Sequence, residues 1–109
     1  MEDTKKYLPM TETAYYILLC LKKPEHGYGI MQRVETMTKE RIKIGPGTMY
    51  GTLSKLEGQA LIRQVEEVDR KKIYEITGKG LQVLTLEMSR LKELYENGER
   101  ILGGVDEYE

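Results

Sequence analysis

The chain has 109 residues, 17 Lys+Arg and 18 Asp+Glu, for a formal net charge of -1; this fits one domain around a single apolar core and leaves no room for a separate catalytic domain. Hydrophobic residues make up 39% and charged residues 32%, which argues against wholesale disorder. No run approaches the ~20 apolar residues that cross a bilayer, and the acidic start Met1-Glu2-Asp3 lacks the cationic region of a secretory signal, so no membrane partner and a cytoplasmic location are expected.

Thr11 or Thr13 with Glu12 can open a first helix, and Ala14, Ile17, Leu18 and Leu21 recur at helical spacing until Pro24 stops it, predicting a helix from Thr11 to about Lys22. After the turn Pro24-Glu25-His26-Gly27, the apolar residues Ile30, Val34 and Met37 fall at i, i+4 and i+7, which predicts a second amphipathic helix from about Tyr28 to Lys39. Arg41 to Ile44 reads as a short extended stretch. Pro46 then suits the first position of a third helix, where its missing N–H would be unpaired anyway. Met49, Leu53 and Leu56 form that helix's inward stripe, and it ends near Gly58.

Leu61–Glu66 and Lys71–Ile76 read as two short strands joined by the polar turn Glu67-Val68-Asp69-Arg70. Thr77 can cap a last long helix whose apolar positions Leu81, Leu84, Met88, Leu91 and Tyr95 are spaced 3, 4, 3, 4. Gly98 and Gly103-Gly104 are expected to fray its end. The fold class is thus mainly α with a small β-hairpin (α+β). Three helices, a hairpin and a helix in that order make a winged helix-turn-helix over residues 1–76, followed over 77–109 by a long C-terminal dimerisation helix and its frayed tail.

The outward face of the third helix is nearly bare, carrying Gly47, Gly51, Ser54, Lys55 and Gly58 flanked by Thr48 and Thr52. Glycine in a helix interior costs ~1 kcal/mol relative to alanine, so its presence at Gly51 implies a close approach. A DNA major groove admits such a helix and rewards small residues, hydroxyls and one lysine; the alternative is that these glycines pack against another helix or simply tolerate exposure. The start Pro46-Gly47-Thr48 also presents free N–H groups to a phosphate. Arg70-Lys71-Lys72 lies at the hairpin tip, where it could follow the phosphate backbone; the alternative is a solvated turn balanced by Glu66, Glu67 and Asp69. Residues 1–76 carry 13 Lys+Arg against 11 Asp+Glu, and residues 77–109 carry 4 against 7, so phosphate contact is expected in the first segment.

The seam Leu81, Leu84, Met88, Leu91 and Tyr95, with Leu94 beside it, covers about two heptads and predicts a homodimer, since two recognition helices ~34 Å apart reach successive major grooves. The alternative is that this helix merely covers its own core. His26 is the only histidine and Cys20 the only cysteine, so no nucleophilic or metal constellation exists in the sequence; no enzyme activity and no cofactor are expected. His26 is read as structural, at the turn between the first two helices, and Cys20 as a small core hydrophobe. Tyr15, Tyr16, Cys20 and Met88 are the residues that could line a cavity for a small-molecule inducer of unknown identity, although each is more simply core.

The residues also resemble the PadR-type transcriptional regulators. The matching segments are Leu8-Pro9-Met10-Thr11-Glu12 with Tyr15-Tyr16-Ile17-Leu18-Leu19, then His26-Gly27-Tyr28-Gly29-Ile30, then Gly45-Pro46-Gly47-Thr48-Met49-Tyr50-Gly51-Thr52-Leu53, and Tyr74-Glu75-Ile76-Thr77. This resemblance implies a winged helix with a dimerisation helix, and repression through a palindromic double-stranded DNA operator. It implies DNA contacts for Thr48, Tyr50, Thr52 and Lys55, with Arg70, Lys71 and Lys72 as wing contacts; Pro46, Gly47 and Gly51 complete the expected surface. Tyr50 lies on the helix flank, where either phosphate contact or edge-of-core packing suits a tyrosine. Two departures stand out. The family usually has Gly where Ala60 stands, so the turn after the third helix is expected to be shaped by Gly58. Some relatives hold flat aromatic drugs with a Trp on the last helix, which this chain lacks. The rival from another class is a winged helix used as a protein-interaction module without DNA binding.

Overall fold

The computed structural model describes residues 3–104, so the tail beyond Gly104 and the first two residues, which entered the signal-sequence reading, lie outside the described residues. A one-turn 3-10 helix, Thr4–Tyr7, leads into α1 (Glu12–Cys20). Thr11 caps α1, its Oγ1 accepting from the Ala14 N–H at 3.1 Å, a bond that satisfies one of the helix's free donors. Next come β1 (Glu25–His26), α2 (Gly27–Met37), α3 (Pro46–Gly58), β2 (Ile62–Val68), β3 (Lys71–Ile76) and α4 (Gly78–Leu102). The three strands form one antiparallel sheet in the order β1-β3-β2. This α+β arrangement is a winged helix-turn-helix with a long last helix.

α2 closes at Met37, short of the end near Lys39 that its apolar spacing predicts. The inward stripe runs Ile30, Val34, Thr38, all buried, while Met37 is 47% exposed and is not the inward residue its spacing predicts. The Thr38 hydroxyl donates to the Val34 carbonyl at 2.8 Å and accepts from the Ile42 N–H at 3.1 Å, and Lys39 and Glu40 take positive φ values of 53° and 65°. Together these reverse the chain toward α3. Arg41–Ile44 runs between the two helices without joining the sheet; Ile44 is buried in the core and Ile42 packs against its edge.

α3 begins at Pro46 and its inward residues Met49, Leu53 and Leu56 are buried, each worth roughly 1.5–3 kcal/mol of transfer free energy. They pack with Ile17, Leu18 and Leu21 of the α1 region, Ile30 and Val34 of α2, and Leu61, Ile62 and Ile76 of the sheet region. α3 ends in a Schellman turn: the Leu61 N–H reaches the Leu56 carbonyl at 3.0 Å and the Ala60 N–H the Glu57 carbonyl at 2.9 Å. The left-handed residue of this turn is Ala60, φ 61°. Gly58 is still helical, which corrects the expectation that it shapes the turn. An L-residue with a Cβ pays about 1 kcal/mol in that conformation. Ala60→Gly is therefore expected to stabilise the fold by about 1 kcal/mol, raising the melting temperature by roughly 4–8 °C in calorimetry.

The hairpin projects from the body: every residue of β2 after Ile62 is exposed. β2 runs on to Val68, so the connection is the two-residue turn Asp69-Arg70 rather than a four-residue one; both residues have positive φ, 50° and 66°, which matches the twist of the flanking strands. A bulge between Gln64 and Glu66 accounts for the broken alternation of this segment.

α4 starts at the Thr77 cap, whose Oγ1 accepts from the Gly80 N–H at 3.0 Å and donates to the Ala60 carbonyl at 2.7 Å. A Cβ on Gly80 would lie 2.2 Å from the Leu61 carbonyl oxygen; only glycine lets the helix sit this close to the turn behind α3. Lys79 Nζ donates to the Gln59 carbonyl at 2.8 Å. The start of α4 is thereby fixed to the end of α3. One turn later Val83, Leu84 and Glu87 are buried. The Glu87 carboxylate accepts from Arg90 at 2.5 and 3.0 Å and from the Met10 N–H at 2.8 Å; the Arg90 hydrogen bond is the main reason its pKa lies below the usual carboxylate value. α4 continues through Gly98 to Leu102, so Gly98 does not fray it. Among the described residues no helix is long and apolar enough to cross a membrane.

Candidate nucleic-acid interface

The outward face of α3 is as bare in three dimensions as its sequence suggests. Pro46, Gly47, Thr48, Tyr50, Gly51, Ser54, Lys55 and Gly58 are exposed and Thr52 is half-buried. A Cβ built on Gly47, Gly51 or Gly58 meets nothing within 4 Å. None of these glycines is needed for packing within the chain. The exposed ridge of the helix is available to something outside it.

Between α3, the hairpin and the start of α2 lies a groove of about 440 Å³. Tyr50 and Ser54 line it from α3, Arg70, Lys71 and Lys72 from the hairpin, and His26, Gly27 and Tyr28 from the start of α2, with Tyr74 and Glu57 completing the wall. The groove thus gathers Tyr50, Arg70, Lys71 and Lys72 from the residues expected by sequence. Thr52 and Lys55 occupy the other flank of α3, lining a smaller cavity of about 230 Å³ with Tyr7, Thr11 and Gln59. Pro46, Gly47, Thr48 and Gly51 line neither cavity and lie on the open face of the helix.

The cations of this surface are unspent. Some basic residues elsewhere are paired internally: Arg63 with Glu75 at 3.0 Å, Lys43 with Glu35 and Glu40 at 3.7 and 3.6 Å, and Arg41 with Glu12. Lys55, Arg70, Lys71 and Lys72 form no ion pair among the described residues. The wing acids Glu66, Glu67 and Asp69 make no ion pair with them among the described residues. A basic side chain with no internal partner gives up little when it meets a phosphate.

Sequence reasoning set Ser54 on the outward face of the helix but did not bring His26, Tyr28, Glu57 or Tyr74 to this groove. His26 does have the structural role expected of it, its Nδ1 accepting from the Gly29 N–H at 3.1 Å as the cap of α2. The glycines around it are spaces for neighbours: a Cβ on Gly27 would lie 2.8 Å from the Tyr50 ring, and one on Gly29 would lie 2.4 Å from the Glu25 carboxyl. The Tyr50 ring therefore rests on the α2 backbone while 55% of the residue stays exposed, so packing and presentation coexist in one side chain. The signal for this was available in His26-Gly27-Tyr28-Gly29, where two small residues flank the start of a helix.

α4 presents a second exposed surface. Leu81, Met88, Leu91, Leu94 and Tyr95 are all exposed, Tyr95 at 69%. Leu84 is not among them: at 6% exposure it belongs to the chain's own core, which removes it from the expected seam. Because α4 passes through Gly98, the 3, 4 spacing continues to position 98 and then to Leu102, also exposed. Near the base of this face a cavity of about 290 Å³ is lined by Met10, Glu12, Tyr15, Tyr16, Glu87, Arg90 and Leu91. It includes the edge-on ring pair Tyr15–Tyr16, centroids 5.7 Å apart, but neither Cys20, which is buried, nor Met88.

Comparison with known proteins gives this geometry its context. The model of the transcriptional regulator PadR-like family matches residues 17–86. A PadR-like transcription factor from Bacteroides fragilis is 30% identical in its solved structure, with a TM-score of 0.70 over 82% of this chain and 88% of that one. A PadR family transcriptional regulator from Eggerthella lenta, 22% identical, has the same fold with a TM-score of 0.71 over 93% of this chain and 86% of that one. A 37.1 kDa protein of unassigned function in transposon TN4556 of Streptomyces fradiae is 34% identical over 86 residues, 77% of this chain; the match spans only 24% of that protein.

Proposed function

We propose, from the premise that this chain belongs to the transcriptional regulator PadR-like family, that it is a cytoplasmic repressor that binds a palindromic operator as a homodimer. α3 enters the major groove with the crest Pro46, Gly47, Thr48 and Gly51, while Tyr50, Thr52 and Lys55 reach its walls. The hairpin tip Arg70-Lys71-Lys72 follows the flanking backbone. Residues 1–76 carry the DNA contacts and the helix within 77–109 carries the pairing, through Leu81, Met88, Leu91, Leu94 and Tyr95.

One observation supports this reading before any other: Lys55, Arg70, Lys71 and Lys72, none of them in an ion pair among the described residues, accompany three helix glycines that nothing in the chain fills. A surface for docking a protein needs no unpaired cations beside a bare helix. A duplex makes use of both.

The test is selection of bound duplexes from a random pool by the purified protein, followed by titration of the recovered site in salt. A palindrome with half-sites about one helical turn apart is expected. Eight cations in the dimer give a slope of log K against log salt of about -7. Recovery of no consensus, together with a slope near zero, would sink the proposal in favour of a protein-docking module.

A further inference from the structure

We infer that the Tyr74 hydroxyl is a phosphate donor, seating one backbone phosphate of the bound duplex on the floor of the groove between α3 and the hairpin. This rests on the DNA-binding reading and names a contact that the recognition helix and wing tip do not contain. Tyr74 is only 6% exposed, and its hydroxyl makes no hydrogen bond among the described residues. The little surface it keeps opens on the groove, which it lines with Tyr50, Lys71 and Lys72. A hydroxyl that opens on the groove and has no protein partner adds no hydrogen bond to the fold, so its acceptor is to be sought in the groove.

The position is rigid. Tyr74 stands in the central strand, paired with Glu25 of β1 on one side and Gln64 of β2 on the other. A donor held in place by two neighbouring strands loses little conformational freedom when its acceptor arrives. Burial, with Glu57 and Tyr50 nearby, raises its pKa, so the group remains a donor at neutral pH. The groove holds three cations, Arg70, Lys71 and Lys72, against the single carboxylate of Glu57. Its field favours an anion, and its continuity with α3 makes a duplex backbone the anion that fits.

The experiment compares wild type with Tyr74→Phe, which keeps the ring and removes only the hydroxyl, on a mixed-sequence duplex of about 25 base pairs at low salt. Affinity is expected to fall about tenfold, as for loss of a hydrogen bond to a charged group, with the salt slope unchanged because no counterion is involved. The melting temperature should stay level or rise. On the duplex recovered by selection, ethylation interference should lose its effect at one phosphate in each half-site. Unchanged affinity in Tyr74→Phe, with wild type binding normally, overturns the inference and leaves the DNA-binding reading standing; so does a lowered melting temperature that accounts for the affinity loss. A wild type that binds no duplex overturns both.

Discussion

Leu91→Asp is expected to give a folded monomer that has lost specific DNA binding by more than about a hundredfold. Leu91 lies outside the buried core and is 38% exposed, so a carboxylate there stays in water while the chain is alone. In a twofold dimer the same substitution acts twice, because an isologous seam contains every residue of the patch in two copies. Two unpaired carboxylates would then be buried in one interface. Separated half-sites lose the effective concentration that joins them, worth about 10²–10⁴ in affinity for linked modules. Sedimentation equilibrium reads the mass and a binding titration on the selected duplex reads the affinity. A variant that keeps the dimer mass removes this face of α4 from the interface.

The contrast with Leu84 shows where heptad spacing stops being informative. Both residues obey the 3, 4 repeat, and a repeat records only that one side of a helix is apolar. It does not say whose apolar surface covers it. Leu84 joins the chain's own core cluster, whereas Leu91, two turns further along α4, stands outside it. Likewise the starts of α1, α3 and α4 were readable because Thr11, Pro46 and Thr77 act within three residues of themselves. β1 was not: two residues have no period, and Glu25-His26 forms a strand only because Tyr74 and Ile73 lie beside it. The same holds for the groove. Tyr74 reads in sequence only as part of the strand 71–76, and it is the arrangement of α2, α3 and the hairpin that brings it to the groove. At Ala60 a local rule was broken outright, since the turn keeps its Schellman hydrogen bonds and tolerates a left-handed alanine instead of moving to Gly58.

Gly51→Glu is expected to separate stability from function, with opposite signs. Gly51 lies in the middle of α3 with open space where a Cβ would be. A side chain there clashes with nothing in the free protein, and glutamate has the better helix propensity by roughly 0.5 kcal/mol. The melting temperature should therefore rise by a few degrees. On DNA the same side chain places bulk and a negative charge on the crest between two phosphate backbones, and affinity should fall by more than about a hundredfold on any sequence. Gly51→Ala isolates the bulk from the charge. It should stabilise by up to about 1 kcal/mol while weakening specific binding about tenfold, because one methyl group moves the helix off the base edges without repelling the backbone. If either variant binds as tightly as wild type, the crest does not lie against the duplex, and the bare face of α3 owes its composition to something other than a groove. If both gain stability and lose DNA, the cost of an interior helical glycine is explained by the molecule that has to fit against it.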